Sequence, residues 1–263
     1  MRGRAGKRPA LLVRAVRCAA TLAGALGVAA CVHETVIVNK PSTTDAAAYN
    51  LQLGVAYMQQ GNLALAKDKL ERSVKENDSD PKVHTALALL YERLGKPNLV
   101  DSEYRAALRL APQDPDIANA YGVHLCGIQR FDEGVRHLVA AARNPLYRTP
   151  EVAWTNAGVC LRTAHRDSDA LADLQQAVEI RPTYAEATFQ LADTQLALGR
   201  IADARTLVER YLGSNSATPE LLMLGVRISR ALGDRIAAER YARRLRTDFP
   251  DSEQARALSA NSG

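Results

Sequence analysis

The sequence predicts an all-α fold in which six antiparallel helix pairs stack one upon the next. Three observations predict it. Small residues recur at a fixed step: Gly54, Ala88, Gly122, Gly158, Ala192 and Val226 are separated by 34, 34, 36, 34 and 34 residues. Further columns keep the same step, from Ala66 to Ala238, from Leu70 to Ala242 and from Ser73 to Leu245. Self-similarity at such a period is the mark of a repeat architecture. The composition agrees, with 47% hydrophobic residues but only three Phe and one Trp. So few aromatics argue against a large β-sandwich, and the Ala/Leu/Arg-rich texture suits closely packed helices. Finally, Gly61-Asn62, Gly95-Lys96-Pro97, Gly199-Arg200 and Gly233-Asp234 fall at one point of the repeat, where a helix-ending glycine belongs.

The elements follow in chain order. Residues 1–30 hold six basic side chains (Arg2, Arg4, Lys7, Arg8, Arg14 and Arg17), no acid, and the apolar run Cys18–Ala30. A basic start, an apolar centre and small residues at the end make a secretory signal. The run is shorter than the roughly 20 apolar residues that span a bilayer. The 34 Lys and Arg of the whole chain become 28 without this segment, against 29 Asp and Glu. The basic balance therefore belongs to the signal, and no nucleic-acid partner is expected. Residues 31–46, with Pro41-Ser42-Thr43-Thr44, read as a flexible tether.

The repeats are assigned to 47–80, 81–114, 115–150, 151–184, 185–218 and 219–252, with Pro112, Pro182 and Pro250 near repeat ends. Two extra residues sit in the connection Asn144–Pro150. Residues 253–263 form a C-terminal cap or tail, with a short capping helix over Ser252–Ala260 as one reading.

Nothing in the chain points to catalysis. There is no phosphate-binding glycine loop, nucleophile elbow or dinucleotide fingerprint, so no catalytic residue and no cofactor is assigned. His33, His84, His124, His137 and His165 have no metal-ligand spacing and read as surface or groove residues. Asp132-Glu133 and Asp167/Asp169 open second helices, where acids favour the helix dipole. Arg240–Arg246 reads as a solvated face. Cys126 and Cys160 lie on consecutive first helices, and the residues alone leave a bridge and two buried free thiols both open.

The segments Leu53–Ala66 and Leu87–Lys96, together with the four columns, resemble the tetratricopeptide repeat over residues 47–252. That resemblance implies a right-handed superhelical solenoid with a concave groove lined by the first helices. The groove positions of the family fall on Leu51, Val55 and Met58, then Thr85, Leu89 and Glu92, then Asn119 and Val123. A partly apolar groove of this kind suits an extended or helical peptide, although Leu51 and Val55 could equally cover a neighbouring helix.

At the other end, Val28-Ala29-Ala30-Cys31 resembles the lipobox of bacterial lipoproteins, with Val28 a departure from the commoner Leu. This implies that Cys31 is lipidated, in place of an ordinary signal cut near Gly27–Ala30. Val32 after the cysteine resembles the outer-membrane sorting class. A lipobox, a short tether and six such repeats together resemble the type IV pilus biogenesis lipoproteins of the PilW (PilF) family. Asn119–Gly127 and Asn156–Cys160 carry the likeness furthest. The resemblance implies a disulfide between Cys126 and Cys160 and a lipid-anchored outer-membrane protein facing the periplasm. It implies a pilotin, a non-catalytic scaffold that brings the secretin subunit to the outer membrane and promotes its multimerisation. Pilus alignment proteins are further expected partners. The alternative is a periplasmic adaptor for cell-wall enzymes or outer-membrane protein assembly.

Overall fold

The computed structural model describes residues 42–260 and, before them, the backbone of one short antiparallel pair. In it β1 (Val13–Arg14) meets β2 (Thr35–Val36), with Val13 opposite Val36. Cys31 and the signal and tether residues other than these strands and 42–46 lie outside the described residues. Thirteen helices follow among the described residues. They pair as α1 (Thr43–Gln59) with α2 (Leu63–Glu76), and α5 (Pro115–Gly127) with α6 (Phe131–Ala142). Next come α7 (Pro150–Thr163) with α8 (Asp167–Ile180), and α9 (Ala185–Ala197) with α10 (Ile201–Ser214). The last pair is α11 (Pro219–Ala231) with α12 (Arg235–Asp248), followed by α13 (Glu253–Ala260). The second repeat supplies α3 (Pro81–Arg93) and α4 (Pro97–Leu110). Two compact units divide the chain, residues 1–95 and residues 96–263.

Local chemistry sets the helix ends. α1 starts at Thr43, inside the segment read as a tether, because Ser42 caps it: its Oγ accepts from the Asp45 amide and donates to the Asp45 carboxylate. Pro81, Pro115, Pro150 and Pro219 open their helices, where a missing N–H costs nothing. Asp80, Asp114 and Thr218 cap three of these with their side-chain oxygens. Between the two helices of a repeat the chain passes through the left-handed region. Glycine does so at Gly61, Gly95, Gly199 and Gly233. Gln129 (φ 64°) and His165 (φ 57°) take the same place in the third and fourth repeats. The next amide still closes the helix end there, Arg130 N to Leu125 O and Arg166 N to Leu161 O, both at 2.8 Å. The Gly column therefore misses these two turns, although their backbone is alike.

In four of the hairpins the core is a small residue under a large one. A Cβ on Gly54 would lie 2.6 Å from Leu70, on Gly122 2.6 Å from Leu138, and on Gly158 2.4 Å from Leu174. Leu70, Leu138 and Leu174 are fully buried, each stabilising by about 2 kcal/mol relative to exposure. The sixth repeat corrects the column as read from sequence. Its close approach is at Gly225, whose Cβ would meet the Tyr241 ring at 3.0 Å, and not at Val226. Val226 and Ala242 are buried beside that pair, so bulk and space have changed places between neighbouring positions. A large side chain still faces a small one, an exchange of the kind a packed core tolerates.

Gly134 is closed in by backbone as well as side chain, since an added methyl would stand 2.4 Å from Cys126 Sγ and 2.9 Å from the Gly122 carbonyl. Gly134→Ala should lower stability by about 1–3 kcal/mol in urea denaturation despite the better helix former. Gly127→Ala, with nothing within 4 Å, should cost nothing or stabilise.

Candidate protein-binding surfaces

In the first unit α1 and α3 present one side of their turns to solvent. Leu51 and Val55 are half-buried, Leu89 is 38% exposed and Glu92 is exposed. Thr85 gives its hydroxyl to the Pro81 carbonyl of its own helix at 2.9 Å. Met58 does not line a surface: it is 6% exposed, and its carbonyl accepts from Arg93 Nη1 at 2.6 Å. Its place near the end of α1 lies under the neighbouring first helix, so it serves packing. What this unit offers is an apolar strip, Leu51, Val55 and Leu89, with polar edges.

In the second unit the same helical position changes character along the stack. It is Val123 on α5, 47% exposed, then half-buried Val159 on α7, then Asp193 on α9 and Arg227 on α11. Asn119 accepts from Asn156 Nδ2 at 3.0 Å, tying α5 to α7. Asp193 is gripped from both sides, its Oδ2 by Arg162 at 2.6 Å and its Oδ1 by Arg227 at 2.7 Å. Arg162 also donates to Gln190, whose amide donates to Glu186 at 2.8 Å. Charge-assisted bonds of this geometry are among the stronger hydrogen bonds. They lock α7, α9 and α11 together and leave Arg227 half in solvent. Sequence reading missed this ladder, because its partners lie 31 and 34 residues apart.

A second cluster lies between α4, α5 and α6. Tyr121 donates its hydroxyl to Asp101 at 2.6 Å, and Arg130 reaches the same carboxylate at 2.9 Å while gripping Glu133. Burial pushes the Asp101 carboxyl up, but the bonds from Tyr121 and Arg130 outweigh it and hold it below its ordinary value. His124 and His137 are not the surface or groove residues expected. His124 is buried near Tyr104 and Tyr121, and His137 packs against the Tyr121 ring at 4.9 Å. Burial, helped by Arg136, lowers the His137 pKa, so its neutral form is favoured.

Cys126 on α5 and Cys160 on α7 are joined by a disulfide with their Cα atoms 5.6 Å apart. The bridge spans the longer connection, where two extra residues interrupt the repeat step. Among the described residues no group of three His, Cys, Asp or Glu side chains could hold a metal ion. No described helix is long and apolar enough to cross a membrane. The arrangement offers an apolar strip in the first unit and a fixed charged ladder in the second.

Comparison with known proteins adds a family context. Tetratricopeptide-repeat profiles match residues 51–115 and 163–228. The chain is similar to the type IV pilus assembly protein PilF of Pseudomonas aeruginosa, at 25% identity over 202 residues, 77% of this chain and 80% of that protein. A crystal structure of PilW, a widely conserved type IV pilus biogenesis factor, matches with a TM-score of 0.68 at 27% identity, over 81% of this chain and 97% of PilW. The structure of Pseudomonas aeruginosa PilF shares the fold, with a TM-score of 0.68 at 24% identity over 84% of this chain and 100% of that one. The Hsp70-Hsp90 organizing protein of Triticum aestivum is 34% identical over 97 residues, 37% of this chain but only 16% of its own length.

The bridge should carry measurable stability. Cys126→Ser with Cys160→Ser should cost about 2–4 kcal/mol in urea unfolding, and dithiothreitol should bring the unsubstituted protein to the same midpoint. His137 supplies a pH test. Its folded pKa lies below the unfolded one, so the unfolded chain binds the extra proton and stability falls as pH drops through about 6.5. His137→Gln should flatten that part of the stability–pH curve, and an unchanged slope would assign it to another group.

Proposed function

For this tetratricopeptide-repeat protein, a homologue of PilF and PilW, we propose a role in type IV pilus biogenesis as a pilotin, a scaffold that makes and breaks no bond. The observation that carries the reading is the similarity to PilF over 202 residues, 77% of the chain. In this reading Cys31 carries the lipid that supplies an outer-membrane address, and the body faces the periplasm. Several acyl chains hold a protein at a bilayer where a single one is marginal. Leu89 in the first unit and Val123 in the second are exposed apolar side chains, and each supports a peptide-holding surface on its own unit. The secretin subunit is the partner held, with pilus alignment proteins as further contacts.

The test compares secretin in heated and unheated membrane fractions from three strains: parent, gene deletion, and Cys31→Ala. Deletion should remove the heat-resistant multimer, and Cys31→Ala should leave secretin monomer in the inner membrane. Leu89→Asp with Val123→Asp should reduce the multimer while the protein stays folded and abundant. Normal multimers in the deletion strain would overturn the reading and leave an envelope adaptor for other clients.

A further inference from the structure

The fifth repeat carries a long polar side chain where its neighbours carry none. Gln195 lies on α9, three residues after the small residue of the helix crossing. Leu125 and Leu161 hold that position in the third and fourth repeats, 0% and 4% exposed, and the small Ser229 holds it in the sixth. A leucine is favourably buried there. The side-chain oxygen of Gln195 is shut away from solvent with no hydrogen-bond partner among the described residues. A buried acceptor left unpaired is costly, and native interiors hold few of them.

Gln195 lines a cleft of about 410 Å³ in the second unit, walled by α8 and α10. α9 packs against both helices and forms the floor between them. Leu191, Val178 and Leu207 are buried there, so the floor around Gln195 is apolar. The rim is charged but unevenly satisfied. Arg200 and Asp203 hold each other at 3.0 Å, and Thr206 donates to the Ala202 carbonyl of its own helix. Two exposed charges at the rim make no ion pair among the described residues. One is Glu179 on the α8 wall, which accepts from the Gln176 amide at 3.0 Å. The other is Arg210 on the α10 wall.

We propose that this cleft binds a short free peptide of two or three apolar residues, charged at both ends. Glu179 and Arg210 stand on opposite walls, so the ammonium of such a peptide meets the first and its carboxylate the second. The peptide N–H lies between those ends, where the floor presents the unpaired acceptor of Gln195. Two extended residues separate the ends by about 7 Å, whereas a single amino acid carries both charges on one carbon. The apolar floor takes the side chains. The volume falls among small-ligand clefts, which run from about 300 to 1,000 Å³. An internal segment of a longer chain would bring neutral amides to both walls and leave the two charges unanswered. The proposal does not depend on the pilus reading, which rests on other residues.

Isothermal titration of the purified full-length protein with leucyl-leucine tests it. Saturable binding at a single site is expected. N-acetyl-leucyl-leucine and leucyl-leucinamide, each lacking one charge, should bind about fivefold more weakly. Gln195→Leu should weaken leucyl-leucine binding about tenfold while the urea midpoint holds or rises, since neighbouring repeats already seat a leucine there. Arg210→Gln, a change on the exposed rim, should bind the free and amidated peptides equally. Absence of saturable binding would overturn the proposal and leave a buried water as the partner of Gln195. Unchanged binding in Gln195→Leu, a kept preference for the free carboxylate in Arg210→Gln, or tighter binding of a peptide capped at both ends would each overturn it too.

Discussion

Four hairpins of this protein depend on a single close crossing, in which a glycine on the first helix sits against a large buried residue on the second. At Gly54, Gly122 and Gly158 the leucine opposite occupies the space where a Cβ would be. Interiors are packed as densely as organic crystals, so such a contact admits few exchanges. The sixth repeat makes one, setting Gly225 under Tyr241 and Val226 beside Ala242. In its hairpin the roles of adjacent positions are traded, and large still faces small. No repeat buries its apolar face alone, so the crossing also commits the chain to stacking.

Once stacking is settled, the outward face of the first helices is free to vary, and that is where the binding character lies. Apolar Val123 and Val159 give way along the second unit to Asp193 and Arg227. The charged end is not simply solvated. Arg162 and Arg227 hold Asp193 from both sides, so the polar half is a fixed surface and not a loose fringe. The Cys126–Cys160 bridge fixes the neighbouring interval, where two extra residues would otherwise loosen the step between repeats. Homology to PilF and PilW fits a scaffold built this way, since its information lies in which surfaces stay open.

Much of the fold was legible because packing repeats itself. Four columns at one period place the helix pairs, and the proline and glycine punctuation places most ends. The exceptions have physical causes. Gln129 and His165 carry left-handed turns without glycine, because the turn's hydrogen bonds and the flanking helices offset a cost of about 1–2 kcal/mol. α1 begins within the expected tether because Ser42 and Asp45 cap it. Of the groove residues, Met58 is buried under its neighbour, while Leu89 and Val123 are exposed. Periodicity predicts which face of a helix a residue occupies, but not how far the next helix overlaps it.

The sequence by itself determined the all-α class, the repeat step and the two cysteines that could meet, because each rests on spacing along the chain. Tertiary structure alone decided the Arg162–Asp193–Arg227 ladder, the burial of His124 and the packing of His137 on Tyr121. Those depend on side chains meeting across helices, most of them some thirty residues apart. A repeat consensus encodes the contacts common to every copy. What makes this chain particular lies in contacts that occur once.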